Sequence, residues 1–271
     1  MNAGRSLATK NTKMSGVGWF TFWCPRGRPD SIPARGGRSS CFLWPSLRPR
    51  IRILNPILLL GLGLLGAGCT APSTGLVNLT AAKAAVVAYV DNGGYDRDLA
   101  TVAAEARSWI EQRAARKGAG ERLAVVVDID ETVLSSYPQM KAQDFGYVPE
   151  VWNAWVARGV APAIAPMREV YLTARRLGVD VLFVTGRKDP RDRPGTEANL
   201  LRQGMSDYAR LVLAPASDDF PTTAQRKAAQ RAALAREGWM IIASIGDQDS
   251  DLAGGHAERT FKLPNPFYVI P

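Results

Sequence analysis

The chain has little cysteine and almost no histidine. Its 271 residues include three cysteines, Cys24, Cys41 and Cys69, and one histidine, His256. Residues 70–271 therefore contain no thiol, and disulfides cannot stabilise them. Dedicated zinc and copper sites use several cysteine or histidine ligands, which this part of the chain lacks. His256 follows two glycines and is most simply a residue of a surface turn.

Acidic residues are nearly absent from the first 68 positions. This region holds ten Lys or Arg residues and a single acid, Asp30, so the formal net charge of +9 lies entirely within it. Residues 69–271 carry 24 basic and 24 acidic side chains. A basic folded surface would favour nucleic acid as a partner, but this domain is electrically balanced. We therefore expect no nucleic-acid polymer among its partners.

Long apolar runs are also scarce. The run at residues 57–65 is shorter than the roughly 20 residues that span a bilayer. Three arginines precede it, and small residues and Cys69 follow it, which is the pattern of a secretory signal. We therefore predict a signal peptide at residues 47–68 and export of the mature protein.

Cys69 directly follows the small residues and resembles the cysteine of a bacterial lipobox. This resemblance predicts acylation of Cys69 and membrane attachment through a lipid anchor, in the periplasm, the outer membrane or at the cell surface. Cleavage without acylation is the alternative. Residues 1–46 show no helical or strand periodicity, which indicates either a disordered extension or translation from a wrongly assigned start.

Apolar patterns after residue 69 alternate between helix and strand. Such alternation predicts an α/β fold with a doubly wound, mostly parallel sheet, preceded by an N-terminal helical segment. The predicted helices are residues 80–90, 98–117, 152–158, 167–177, 197–203 and 224–237. The predicted strands are a run that ends at Asp128 and residues 179–185, 209–213 and 240–245.

Acidic residues stand where two of these strands end. Asp128 and Asp130 are two positions apart, so their side chains can face the same side, and Asp247 follows the last predicted strand. Ligand sites in open α/β sheets lie at the carboxyl ends of the strands, so we expect the three carboxylates to converge. Such a cluster needs a cation to offset its repulsion, and hard oxygen ligands suit Mg²⁺.

Phosphate chemistry fits the other polar residues at these strand ends. Hydrolysis of phosphate monoesters is extremely slow without a catalyst, so a site must stabilise the charge of the transition state. Lys227 and donors at the turn Thr185-Gly186 are candidates for binding the phosphate. One aspartate can attack phosphorus, while a second protonates the leaving oxygen and then activates water.

These residues resemble motifs one to four of the haloacid dehalogenase (HAD) superfamily, in the same order. The motifs are Asp128-x-Asp130, Thr185, Lys227 and Gly246-Asp247-x-x-x-Asp251. Four further stretches are similar to its class B/C-like acid phosphatases, which include bacterial lipoproteins and plant enzymes. They are Trp152-Asn-Ala-Trp155-Val, Thr196-Glu-Ala-Asn199-Leu-Leu, the segment from Lys227 to Gly238, and the segment from Phe261 to Pro271. The resemblance covers residues 69–271, which we interpret as an acid phosphatase domain.

The resemblance implies a role for each motif residue. Asp128 would be the nucleophile and a metal ligand, Asp130 the general acid and base and a ligand through its main-chain carbonyl, and Asp247 the remaining Mg²⁺ ligand. Thr185, Gly186 and Lys227 would bind phosphate, although a solvated basic helix face is an alternative for Lys227. Asp251 would support the metal site or Lys227. Arg187 would support the site or form a surface ion pair.

Aromatic residues between motifs one and two predict a small cap over the site. Tyr147, Trp152 and Trp155 are candidates for stacking a nucleobase, because nucleotide-hydrolysing members occur in the family. Packing in the core is the alternative for Trp152 and Trp155, which lie three positions apart on one predicted helix.

The predicted function is that of a Mg²⁺-dependent acid phosphatase acting on small phosphomonoesters, with nucleoside monophosphates among the candidates. The alternatives are a storage or surface-binding lipoprotein that keeps the fold without catalysis, and transfer of the phosphoryl group to an alcohol. The sequence predicts no oligomeric state.

Overall fold

The computed structural model describes residues 75–217 and 219–270. The predictions for residues 1–46, for the signal peptide at 47–68 and for Cys69 lie outside the described residues. Among the described residues, no helix combines the length and the apolar character needed to cross a membrane.

A sheet of five parallel strands forms the centre of the fold. Its strands lie in the order β3-β2-β1-β4-β5, and every neighbouring pair is parallel. They are β1 (Leu123–Val127), β2 (Asp180–Lys188), β3 (Arg210–Ala214), β4 (Met240–Gly246) and β5 (Thr260–Lys262). The α/β class and the parallel sheet predicted from the sequence are confirmed.

Seven α-helices belong to the described part of the chain. They are α1 (Leu79–Asp91), α2 (Gly94–Ala115), α3 (Tyr137–Ala142), α4 (Pro149–Arg158), α5 (Ala165–Arg176), α6 (Arg193–Arg202) and α7 (Thr223–Arg236). The first two form the predicted N-terminal helical segment, and α3 and α4 lie in the insertion between β1 and α5. A short 3₁₀ helix, Asp249–Asp251, follows β4.

Helices cover both faces of the sheet, which explains why its central strands are almost wholly apolar. All five residues of β1 are buried. Val125 and Val127 belong to the apolar cluster that includes residues of α2 and α5. Ala124 and Val126 belong to a second cluster, which includes Leu234 of α7. Successive residues of one strand thus pack in different layers, as the pleat requires.

Helix α7 begins at a side-chain cap close to the sheet edge that carries the site. Thr222 has an extended backbone, and its hydroxyl oxygen accepts a hydrogen bond from the main-chain N–H of Gln225. This bond satisfies one of the N–H groups that have no partner within the helix. The start of α7 is therefore well defined, and Lys227 lies in its first turns.

The predicted elements agree with the structure to within a few residues, and the differences have local causes. Helix α2 begins at Gly94 instead of residue 98, because Gly93 adopts a left-handed φ of 71° and completes the turn before it. The sequence pattern does not predict strand β5 or helix α3. β5 has three residues, of which only Phe261 is buried, and α3 has six residues, so neither is long enough to show a period.

Candidate active site

A cavity of about 660 Å³ lies where the carboxyl ends of β1, β2 and β4 meet. Parallel strands bring residues that are distant in sequence to one edge of the sheet, and α7 adds its first turns. Most of the residues predicted from the motifs line this cavity: Asp128, Asp130, Thr185, Gly186, Arg187, Lys227 and Asp247. Asp251 is not among the lining residues.

Lys227 lines the cavity and lies between two aspartates. Its Nζ donates to Asp128 Oδ1 at 2.7 Å and also to the carboxylate of Asp251. Burial opposes the charge on Lys227, but the two carboxylates raise its pKa above the ordinary value. The side chain is only 5% exposed, so the alternative of a solvated basic helix face is wrong for this residue.

The same face of α7 buries a second cation that sequence reasoning missed. Arg231 donates to the main-chain carbonyls of Asp251 at 2.8 Å and Gly255 at 3.0 Å. Its side chain therefore holds the turn that follows β4 and carries Asp251. At Gly246, the last residue of β4, a Cβ would lie 2.2 Å from the Asp251 carboxylate, so only glycine allows this close approach.

Three buried aspartates gather beside Lys227. Ligand oxygens from the carboxylates of Asp128, Asp247 and Asp251 all lie within 4.8 Å of one another. Burial raises the pKa of both Asp128 and Asp247, as expected for carboxylates brought together away from water. Hard oxygen donors at this spacing are a suitable set for a divalent cation, so the residues present fit a metal site.

Asp130 lines the cavity, but its carboxylate is not part of this trio. Arg187 donates from Nη2 to Asp130 Oδ1 at 2.7 Å and from Nε to Oδ2 at 3.0 Å. Such a two-point contact fixes the orientation of the carboxylate.

Arg187 is buried, and the alternative that it forms a surface ion pair is wrong. Its side chain is 1% exposed, and its Nη1 donates to Thr196 Oγ1 at 3.0 Å. The hydroxyl oxygen of Thr185 accepts a hydrogen bond from the main-chain N–H of Arg187 at 3.2 Å. The Thr185 hydroxyl can therefore donate its own proton to another acceptor. Gly186 lines the cavity between them and is exposed.

Three side chains that were not identified from the sequence donate hydrogen bonds to Asp247. Its Oδ1 accepts from Thr132 Oγ1 at 3.1 Å, and its Oδ2 accepts from Gln248 Nε2 at 2.6 Å and Asn265 Nδ2 at 2.7 Å. The bonds from Asn265 and Gln248 favour the charged form of the carboxylate and oppose the effect of its burial on the pKa of Asp247. The only sequence signal for the three residues is their position within or next to stretches that resemble the family.

Glu131 is a further buried acid that was not identified from the sequence. It follows Asp130 with a left-handed φ of 54°, and its Oε1 accepts from the main-chain N–H of Ser136 at 2.5 Å. Burial raises the pKa of Glu131 to about 8. The bond to Ser136 closes the turn after Asp130, so Glu131 contributes to the shape of the site without lining the cavity.

The aromatic residues of the insertion divide into two groups. Tyr147 and Trp152 line the cavity, and their ring centroids are 6.4 Å apart. Trp155 is buried in the core and is not among the lining residues, which supports the core-packing interpretation for it. His256 lies in an exposed loop with a left-handed φ of 62° and does not line the cavity.

Comparison with known families agrees with this geometry. The family model described as HAD superfamily, subfamily IIIB (acid phosphatase) matches residues 74–271. This chain belongs to that family. The acid phosphatase is therefore a phosphomonoesterase, and its parallel sheet with the cavity at the strand ends is the HAD-like fold.

Individual plant proteins are also similar to this chain. Acid phosphatase 1 of Solanum lycopersicum is 33% identical over 186 residues, which cover 67% of this chain and 72% of the tomato protein. The stem 28 kDa glycoprotein of Glycine max is 39% identical over 151 residues, which cover 54% of this chain and 59% of the glycoprotein.

A solved structure shares the fold of the acid phosphatase. The class C acid phosphatase from Bacillus anthracis superposes with a TM-score of 0.57 and covers 70% of this chain and 85% of its own. The two sequences are 21% identical, so this likeness shows the fold alone.

Proposed function

We propose that this acid phosphatase is Mg²⁺-dependent and hydrolyses small phosphomonoesters through a covalent aspartyl-phosphate on Asp128. The observation that carries the proposal is the convergence of Asp128, Asp247 and Asp251 around Lys227, beside a cavity at three strand ends. A cluster of acids and a buried cation in a cleft is a recurrent feature of catalytic sites.

Asp128 is proposed as the nucleophile. It lines the cavity, and among the described residues only Lys227 donates a side-chain hydrogen bond to it, at Oδ1. Lys227 holds the carboxylate in one orientation and also places a positive charge where phosphoryl oxygens would lie. The second carboxylate oxygen is thereby left to attack phosphorus.

Asp130 is proposed as the general acid and base. Asp130 lies two residues after the proposed nucleophile and lines the cavity. Arg187 donates two hydrogen bonds to its carboxylate. Asp130 would donate a proton to the leaving oxygen in the first step and accept one from water in the second. The Thr185 hydroxyl and Gly186 at the end of β2 would bind the transferred phosphoryl group.

The carboxylates of Asp128 and Asp247 and the main-chain carbonyl of Asp130 would hold Mg²⁺. When bound, the ion neutralises charge on the phosphoryl oxygens. Asp251 would act by holding Lys227, which it contacts directly.

Turnover of p-nitrophenyl phosphate by the purified protein tests this proposal. We expect activity with Mg²⁺, loss of activity in EDTA and its recovery on adding Mg²⁺ back. Asp128→Asn and Asp247→Asn should each abolish turnover, whereas Asp249→Asn, which changes an exposed acid beside the site, should not. An inactive wild-type protein would favour the non-catalytic alternative, and an active Asp128→Asn variant would exclude this residue as the nucleophile.

Nucleoside monophosphates and other esters with flat leaving groups are proposed as good substrates. Tyr147 and Trp152 provide aromatic faces at the cavity wall for stacking such a group. We expect Trp152→Ala to raise KM for a nucleoside monophosphate more than for glycerol phosphate. Trp155→Ala, in the core, should instead lower the unfolding free energy by about 3–5 kcal/mol. Equal KM changes for the two esters would contradict the stacking role.

Export and attachment to the membrane through Cys69 are proposed from the sequence pattern at residues 47–69. The expected products are a protein that begins at Cys69 and carries acyl chains, detectable by mass spectrometry of the N-terminal peptide. Cys69→Ser should release the protein from the membrane fraction. An unmodified N-terminus at Cys69 would support signal cleavage without acylation.

A further inference from the structure

The C-terminal segment, residues 263–270, packs against the site beside Asp247. Phe267, Tyr268, Val269 and Ile270 line the cavity, and the main-chain N–H of Ile270 donates to Gln248 Oε1 at 2.9 Å. The segment therefore contacts both the cavity and a residue that holds Asp247.

Asn265 within this segment has a defined amide orientation. Its Oδ1 accepts from the main-chain N–H groups of Phe267 at 2.8 Å and Tyr268 at 3.3 Å. Its Nδ2 then points to Asp247 Oδ2 at 2.7 Å. The reverse orientation would set the amide NH₂ against two N–H donors and the amide oxygen against a carboxylate, so only one orientation satisfies all partners.

The two carboxylate oxygens of Asp247 accept different numbers of hydrogen bonds. Oδ2 accepts from two amide groups, those of Asn265 and Gln248, which together use both of its lone pairs. Oδ1 accepts one bond, from Thr132, and keeps a lone pair. Asn265 therefore helps to decide which oxygen of Asp247 stays available to a ligand.

Aromatic packing keeps Asn265 in place. The ring of Phe267 lies among three other rings, with centroid distances of 5.2 Å to Tyr95, 5.3 Å to Tyr137 and 6.3 Å to Phe145. These partners belong to α2, to α3 and to the loop after α3. The C-terminal segment is thus fixed by packing that does not involve Asp247.

We propose that Asn265 is a positioning residue that sets the orientation of Asp247 for metal binding, and that the C-terminal segment is therefore part of the catalytic machinery. This inference rests on the proposed function, in which Asp247 is a metal ligand. Side chains that orient metal ligands typically contribute 10–100-fold to metal affinity or activity, which gives the size of the expected effect.

Asn265→Ser is the most informative variant. A serine hydroxyl can accept from main-chain N–H groups two residues on, so it preserves the turn, but it is too short to donate to Asp247. We expect the Mg²⁺ concentration for half-maximal activity, and the dissociation constant for Mg²⁺ measured by calorimetry, to rise at least about tenfold. Thermal unfolding without metal should change little.

Ile110→Val is the matched control, because it removes a methyl group from a buried position of α2 that lies outside the C-terminal segment and does not line the cavity. It should lower the thermal stability and leave the calorimetric Mg²⁺ affinity within about threefold of the wild type. If Asn265→Ser binds Mg²⁺ as tightly as the wild type, or if Ile110→Val weakens binding equally, the positioning role is wrong. If the wild type itself binds no Mg²⁺, the metal site of the proposed function is wrong as well, so the two failures are distinguishable.

Discussion

Replacement of Arg187 by methionine tests whether its ion pair with Asp130 belongs to the interior of the protein. Exposed ion pairs contribute about 0–1 kcal/mol, whereas removal of one partner from a buried pair costs about 3–5 kcal/mol. The Arg187 side chain is 1% exposed and that of Asp130 is 15% exposed, so water still reaches the carboxylate. We therefore expect Arg187→Met to lower the unfolding free energy by about 3 kcal/mol, the lower end of the buried range.

The assay is urea unfolding of the apoprotein in EDTA, so that metal binding does not contribute to the measured free energy. A double-mutant cycle with Asp130→Asn isolates the coupling energy between Arg187 and Asp130. It excludes the effect of other contacts that the variant loses, such as the hydrogen bond from Arg187 to Thr196. Residues in direct contact usually couple by about 0.5–3 kcal/mol, and we expect the upper half of this range. Asp130→Asn should also abolish phosphatase turnover, because it removes the proposed acid and base.

Lys141→Met is the matched control. Lys141 pairs with Asp91 at 3.2 Å, but these side chains are 45% and 54% exposed. Loss of this exposed ion pair in Lys141→Met should lower the free energy of unfolding by less than about 1 kcal/mol. If Arg187→Met also lowers the free energy of unfolding by less than about 1 kcal/mol, or if the cycle shows no coupling with Asp130, this ion pair is not a buried structural contact.

Two further predictions concern stability. Gly246→Ala would place a Cβ 2.2 Å from the Asp251 carboxylate and should lower the free energy of unfolding by about 1–3 kcal/mol. In Gly186→Ala the nearest neighbour of the new Cβ is 3.9 Å away, so the free energy of unfolding should stay within about 0.5 kcal/mol of the wild type. Equal unfolding midpoints for the two variants would contradict this. Burial alone would raise the pKa of Asp192, but hydrogen bonds from Arg191 and from a main-chain N–H hold it below its ordinary value. Asp192→Asn should therefore destabilise the protein above about pH 4, and the difference from the wild type should vanish as the pH falls through that lower pKa. A difference that is constant with pH would exclude the carboxylate as its cause.

Much of the fold could be predicted because its strands differ sharply in composition from the segments between them. β1 is buried over its whole length, so its apolar run is visible without any structural information. The approach of Asp128 to Asp247 was also predictable, because parallel strands end at one edge of the sheet. β5 could not be found in this way, since one buried residue in three makes no period.

The partners of individual side chains could not be predicted. Arg187 pairs with an aspartate 57 positions earlier, and Asn265 reaches Asp247 from 18 positions later. Hydrophobic periodicity reports which face of an element is buried, but it carries no information about which charged group lies opposite. For this reason the basic residues near Lys227 looked like a solvated face, although Arg226 and Arg231 are buried with it.

The charges of the site give a physical argument for the proposed cation that does not depend on the family. Four aspartates, at positions 128, 130, 247 and 251, contribute to the site or hold its members, and Lys227 and Arg187 lie in direct contact with three of them. If all six groups are charged, two negative charges remain uncompensated. Asp247 contributes to this excess because its hydrogen-bond partners, Thr132, Gln248 and Asn265, are neutral. Lys188, Arg191 and Arg226 also line the cavity, so this excess is local to the aspartates and is not a property of the whole cavity. The divalent cation proposed above would offset the local excess beside Asp247.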